Sequence, residues 1–407
     1  MLQKKFFLVV GVLVLLNTIL ASFLLWGKKE HVAVEKKVVM IEIAELRGNK
    51  MSFKELSNYF STLAENKGGV YAFSVLKAAD IPTGTDLHLL AHVVGDVLYR
   101  QQGTSGMRYC TDDFRNACSH SIVVGTLLEK GTSALPDIAR ACKDAPGGKG
   151  AYTMCFHGLG HGVLAYTNYN METATELCRM LGTEEYHGRE FIECVGGMTM
   201  EMLAGVNNPE QWAREKEKYF KKDDPLYPCT APFIPAKAKV MCYVYITPHL
   251  FEAAGGSLGN PLPEDFKKAF IYCGKIVSTS DRRTCYGGFG KEFVVLAQGR
   301  DIRNIESLTS EQLSTVYTWC MLADTTEGRR ACIDTTVASL YWGGENEPDV
   351  ALRFCSVQKT EDHMFQCYKS LYGNVQSYVQ DSVYRMRLCE AVPERFRNEC
   401  TQELLKQ

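Results

Sequence analysis

The 407-residue sequence has no cysteine before Cys110 and nowhere a C-x-x-C pattern. Zinc ribbons, thioredoxin-like redox motifs and c-type haem attachment therefore have no support. It also lacks a dominant charge: the formal net charge is -2, which removes any bulk attraction to nucleic acid. Serine-nucleophile motifs, the phosphate-cradling G-x-x-x-x-G-K-[ST] loop and the dinucleotide fingerprint are missing. "CYGGFGKEF", Cys285 to Phe293, is rich in glycine but reads as the interior of a helix rather than a loop after a strand. No H-E-x-x-H occurs, so the zincin protease reading fails as well.

What is present begins with an apolar run from Phe6 to Trp26, broken only by Gly11, Asn17, Thr18 and Ser22. At ~1.5 Å per residue it is long enough to cross the ~30 Å hydrocarbon core of a bilayer. No A-x-A cleavage pattern stands out near "TILASFLLW", so an uncleaved anchor is expected, giving a single-pass membrane protein. Charge does not orient it, because Lys4 and Lys5 on one side face Lys28, Lys29, Lys36 and Lys37 on the other. The sixteen cysteines do: the bulk of the chain is expected outside the cytoplasm, in the periplasm or at the cell surface, where disulfides persist. Residues 1–27 are thus expected to form the anchor, 28–50 a charged linker, and 51–407 a disulfide-rich helical repeat domain.

The start of that domain is marked by Ser52 and Glu55, an S-x-x-E capping box ahead of Phe53, Leu56, Tyr59, Phe60 and Leu63 at helical spacing. From Cys142 onward the cysteines fall into successive pairs: 142 and 155, 178 and 194, 229 and 242, 273 and 285, 320 and 332, 355 and 367, 389 and 400. The first member ends one apolar-periodic segment, as in "LPDIARAC", and the second enters another, as in "CIDTTVASLYWGG". Each unit reads as a helical hairpin, its second cysteine about one turn inside its helix and bonded to the last turn of the preceding one. Asp113, Asp281, Glu327, Asp362 and Glu394 precede several second cysteines, where a carboxylate caps or complements a helix N-terminus. The expected fold is all-α: a right-handed superhelix or solenoid of antiparallel helical hairpins, each stapled by a local disulfide, behind the membrane span. It does not match the tetratricopeptide or ankyrin consensus patterns.

Aligning units on the second cysteine exposes a candidate site. Two residues on stand His120 and His157; three residues on, the column is mostly small, with Ser121, Gly158, Gly197 and Gly288. Small residues there point to close approach between stacked helices. "DLHLLAHVVGD" carries His88 and His92 at the spacing of His157 and His161, and five of the nine histidines lie between residues 88 and 161. Histidines four apart share a helical face and reach one ion together. The expected ligands are His88, His92, His120, His157 and His161, with Asp96 as a ligand or as a group orienting an imidazole. His31, His187, His249 and His363 lack the pattern and are expected to be structural or exposed. Glu201 and Glu292 share the position seven after their cysteines and extend the surface beyond the histidines.

Three functions fit these residues. One is a metalloprotein binding zinc, iron or copper, with hydrolysis of a small polar substrate at a metal-bound water. Another is a metal-free scaffold whose concave face binds a peptide or envelope protein. The third is haem held between two imidazoles.

Overall fold

A computed structural model describes residues 41–48, 50–81, 85–111, 113–298, 305, 307–341, 347–379 and 381–405. The apolar run Phe6 to Trp26, and the span expected there, lie outside the described residues. Among those described, no helix is long and apolar enough to cross a membrane, and there is no strand. Residues 41–46, which the sequence reading placed in the linker, are helical, and Leu46 joins the core.

The longer helices follow one another as α1 (Phe53–Lys67), α2 (Gly69–Ala78), α3 (Leu87–Gln102), α4 (Ala117–Lys130), α5 (Leu135–Lys143), α6 (Gly148–Tyr166), α7 (Met171–Arg179), α8 (Arg189–Ala204), α9 (Pro209–Glu215) and α10 (Ala236–Tyr245). They continue as α11 (Thr247–Ala253), α12 (Pro263–Gly274), α13 (Thr279–Ala297), α14 (Ser310–Cys320), α15 (Thr326–Tyr341), α16 (Pro348–Ser356), α17 (Glu361–Tyr378), α18 (Ser382–Ala391) and α19 (Glu394–Leu405). One row runs α3, α4, α6, α8, α10, α13, α15, α17, α19, each helix packed on the next. The helices α5, α7, α12, α14, α16 and α18 each pack on the row helix that follows them in sequence. Each row helix therefore shares its apolar surface with both neighbours.

Local chemistry sets the helix starts. Ser52 and Glu55 form the capping box read from the sequence, and Thr309 with Gln312 forms a second. Asn208 caps α9 with Pro209 at its first position. Asp281, Glu327, Asp362 and Glu394 lie in the first turns of α13, α15, α17 and α19, where a negative charge meets the unsatisfied N–H groups. Asp113 does otherwise, pairing with Lys77 at 3.0 Å. Arginines near these helix starts also reach the next unit: Arg282 to Glu327 at 3.1 Å and Arg330 to Asp362 at 3.2 Å.

All seven expected cysteine pairs are bonded, and Cys110–Cys118 is an eighth. The Cα atoms of Cys142 and Cys155 stand 5.7 Å apart, inside the range a disulfide spans without moving backbone. The second cysteine sits deeper than expected. Cys194, Cys285, Cys332, Cys367 and Cys400 lie nearly two turns into their helices, because the first turn of each row helix projects past the end of its partner. Cys229 is the one first cysteine after Cys110 that lies in a turn rather than at a helix end.

Glycine sets the distance between row helices. A methyl group on Gly160 of α6 would stand 2.0 Å from the Cys194 carbonyl oxygen of α8, and one on Gly290 of α13 would stand 2.1 Å from the Cys332 carbonyl oxygen of α15. Both glycines lie five residues after a second cysteine and both meet the second cysteine of the next unit, so the register repeats. The backbones touch where any side chain would hold them apart. Gly160→Ala is expected to destabilise the protein by about 1–3 kcal/mol through overpacking. Gly150→Ala, on the same helix with open space around it, is expected to be neutral or to stabilise by up to ~1 kcal/mol. Thermal denaturation of the two variants checks this; equal melting temperatures would contradict the close-approach account.

Candidate metal centre

Asp86 accepts a hydrogen bond from the Leu89 N–H at 3.0 Å and so starts α3, placing His88 in its first turn and His92 one turn on. The His88 Nδ1 lies 2.7 Å from the Phe114 carbonyl oxygen, which can only accept, so Nδ1 carries the proton. The Ser121 hydroxyl lies 3.1 Å from the His92 carbonyl oxygen and 3.0 Å from His92 Nδ1, a ring nitrogen it can accept from or donate to. His88 therefore has its lone pair on Nε2, facing Nε2 of His92. Those two nitrogens stand 3.2 Å apart, with the rings nearly perpendicular at 85°. With the His92 proton on Nε2 the pair forms an Nε2–H···Nε2 hydrogen bond; with it on Nδ1 two lone pairs converge and a cation can lie against both.

The carbonyl that orients His88 belongs to an unusual backbone. Phe114, Arg115 and Asn116 have φ of 55°, 54° and 61°, and a side chain in the left-handed region costs roughly 1–2 kcal/mol per residue. The disulfide between Cys110 and Cys118 closes this loop from both sides. Strain held in place by a covalent link next to a convergent pair of ligands is characteristic of functional sites.

His120, on α4, is buried, and both its ring nitrogens lack a hydrogen-bond partner. One ligating atom from each of His88, His92 and His120 lies within 4.8 Å of the others. The His120 ring rests against Gly158, where a methyl group would come within 2.3 Å of its Cδ2. That glycine, expected from the small-residue column, makes room for the ring between α4 and α6.

On the far side of His120 lie His157 and His161 of α6, their ring centroids 5.8 Å and 5.9 Å from that of His120. His161 donates Nδ1–H to Glu201 at 3.0 Å, leaving its Nε2 buried and without a partner. Glu201 also accepts from the Tyr169 hydroxyl at 2.6 Å and from the Asn207 backbone and side-chain amides, each at 2.9 Å. Burial raises its pKa, but the His161 interaction and these hydrogen bonds outweigh that and hold it below the ordinary carboxylate value. His157 Nδ1 stands 3.7 Å from Glu193 Oε2, too far for a hydrogen bond, and both atoms are unpartnered. Glu193 Oε1 pairs with Arg189 at 2.5 Å, and the Tyr245 ring packs on His157 at 5.0 Å.

Thus the five expected histidines form one file across α3, α4 and α6. Asp96 is not among the gathered ligands; its carboxylate hydrogen-bonds to Ser121 and so reaches His92 through that hydroxyl. His187 is exposed, His249 is buried against Phe220 with centroids 4.5 Å apart, and His363 lies 2.8 Å from the Tyr317 hydroxyl; none joins the file. Sequence reasoning missed Phe114, Glu193 and Tyr245 and took Ser121 only for a small packing residue. Its place next to His120, facing α3, was the available signal. No protein-family model matches this chain, and no curated protein and no solved structure matches it.

Desolvation lowers the His88 pKa from the ordinary 6.5 to about 4, pushes His92 and His120 well below 6.5, and lowers His157. His249, outside the file, is lowered to about 4 by burial alone. His88, His92, His120 and His157 are thus neutral at neutral pH and available as ligands. In metal-free protein the unfolded chain takes up protons near 6.5 while the folded His88 and His249 rings resist them to about 4 and His92, His120 and His157 resist them below 6.5. Stability is therefore full above the ordinary imidazole pKa and falls as pH drops toward the folded values. Thermal melts of chelator-treated protein should show a melting temperature that declines on acidification through this window. His249→Phe, which keeps the stacking on Phe220, should make the decline shallower. A wild-type melting temperature that stays level across the window would contradict this.

Proposed function

We propose that this chain is a membrane-anchored, extracytoplasmic metalloprotein that binds zinc, iron or copper through His88, His92 and His120. The observation that carries this reading is the convergence of His88, His92 and His120, one ligating atom of each within 4.8 Å of the others and the Nε2 atoms of His88 and His92 3.2 Å apart. Two nitrogens bound at ~2.0–2.1 Å to one tetrahedral ion are about 3.3–3.4 Å apart, close to the separation seen. Imidazole donors suit zinc, copper and iron. Two imidazoles holding haem would face each other across the iron at about 4 Å, which the nearly perpendicular His88–His92 pair does not suit.

Three nitrogen donors leave a fourth position, the arrangement that lets an ion activate water. His88 and His92 are half-buried, so this position is reachable from their side, and hydrolysis of a small polar substrate is the chemistry it suits. Eight local disulfides and no free cysteine support an oxidising compartment. The apolar run Phe6 to Trp26 supports the anchor. The succession of packed row helices supports a solenoid, for which a right-handed superhelix is the proposed sense.

Metal analysis of oxidised protein prepared without a histidine tag or chelator tests the proposal. Wild type is expected to retain at least one transition-metal ion per chain. His88→Ala and His92→Asn should each lower affinity at least about tenfold with unchanged helical circular dichroism, and His187→Ala should have no effect. If no ion is retained after zinc, copper and iron are offered, the scaffold reading, with a peptide or envelope-protein partner, takes its place.

A further inference from the structure

The file of histidines does not end at the site just described. The centroid separations among His88, His92 and His120 are 4.8, 5.6 and 5.8 Å. Those among His157, His161 and His120 are 5.3, 5.8 and 5.9 Å. The second triangle is only slightly wider than the first, and the two share one corner. Three imidazoles bound through nitrogen to a tetrahedral ion have centroids about 5 Å apart; the donor atoms of the first triangle already lie within 4.8 Å of one another, and those of the second converge once its rings turn.

Hydrogen bonding at the shared corner points the same way. A neutral imidazole has one N–H to donate and one lone pair to satisfy, and leaving a buried polar atom unmatched is unfavourable. His120 leaves both nitrogens unmatched. A single ion satisfies only one. On the second triangle, His161 Nε2 and His157 Nδ1 are buried and unmatched too, as is Glu193 Oε2. His161 is held as a metal-binding histidine usually is, its Nδ1–H on a carboxylate, Glu201, that three other donor groups anchor.

We propose a second metal position, held by His157 and His161 with His120 as a bridging ligand that gives one ring nitrogen to each ion. The inference rests on the first site being a metal site. As the second ion binds, His120 releases its remaining ring proton to solvent. The resulting imidazolate carries one negative charge between two dications. Glu201 keeps His161 in the tautomer with its lone pair on Nε2, and Glu193, whose Oε2 has no hydrogen-bond partner, offsets part of the added positive charge or becomes a ligand itself. The centre would take two divalent ions of the kind imidazole prefers, such as copper and zinc.

Copper(II) loading followed by metal analysis and electron paramagnetic resonance tests this. Two copper(II) ions joined by an imidazolate couple antiferromagnetically, so wild type should bind two per chain and show far less signal than two independent spins. His161→Ala should bind one and regain one full spin. His157→Asn, which preserves more of the packing volume, should do the same and guards against a folding defect, with circular dichroism as the check on both. One copper per chain in wild type would overturn the second position and leave the first standing. Two coppers at full intensity would overturn the bridge, and no copper, with no zinc or iron retained either, would overturn both readings.

Discussion

Close approach of successive row helices is the constraint on which the rest of this structure depends. Side chains on separate helices usually meet across 8–10 Å between axes. Here Gly160 and Gly290 bring backbone against backbone, and Gly158 lets the His120 ring lie flat between α4 and α6. Without that approach the histidines of α3, α4 and α6 would sit in separate grooves. With it they form a file in which each ring is within 6 Å of the next.

Glycine in mid-helix is unfavourable by about 1 kcal/mol relative to alanine, and a helix as glycine-rich as α6 needs outside support. The disulfides supply it. Cys155, in the middle of α6, is bonded to Cys142 at the end of α5, and closing a loop of this size removes unfolded-chain entropy worth up to ~3 kcal/mol. The same device, tightened, appears at Cys110–Cys118, where it holds the left-handed Phe114–Asn116 segment whose carbonyl orients His88. Staple, helix approach and ligand orientation are three consequences of one repeated hairpin.

Much of this was legible in the sequence because it is periodic. Cysteines at the ends of apolar helical segments announced the hairpins, and the small residues after each second cysteine announced the contact between them. His88 with His92, and His157 with His161, were visible as four-residue spacings on a helix face. What stayed hidden is not periodic. Cys110–Cys118 lies outside the common spacing because it closes a strained turn, and no residue pattern reveals three successive positive φ values at Phe114, Arg115 and Asn116. The acceptor for His88 is a backbone carbonyl, which any residue carries. Glu193 was obscured because it sits beside a cysteine that the alignment already explained. The depth of the second cysteines followed from how far the row helices overhang their partners, a tertiary property.

All of it converges on the protonation of two rings. Long-range proton–nitrogen-15 correlation spectra of histidine-labelled protein, recorded metal-free near neutral pH and again with one equivalent of zinc, report directly which ring nitrogen carries hydrogen. The account predicts Nδ1–H with unprotonated Nε2 for His88 in the metal-free protein, and, once zinc is added, Nδ1–H on both His88 and His92 with both Nε2 resonances displaced. A proton on Nε2 of either ring in the presence of zinc, or Nε2 resonances that zinc leaves unchanged, would contradict it.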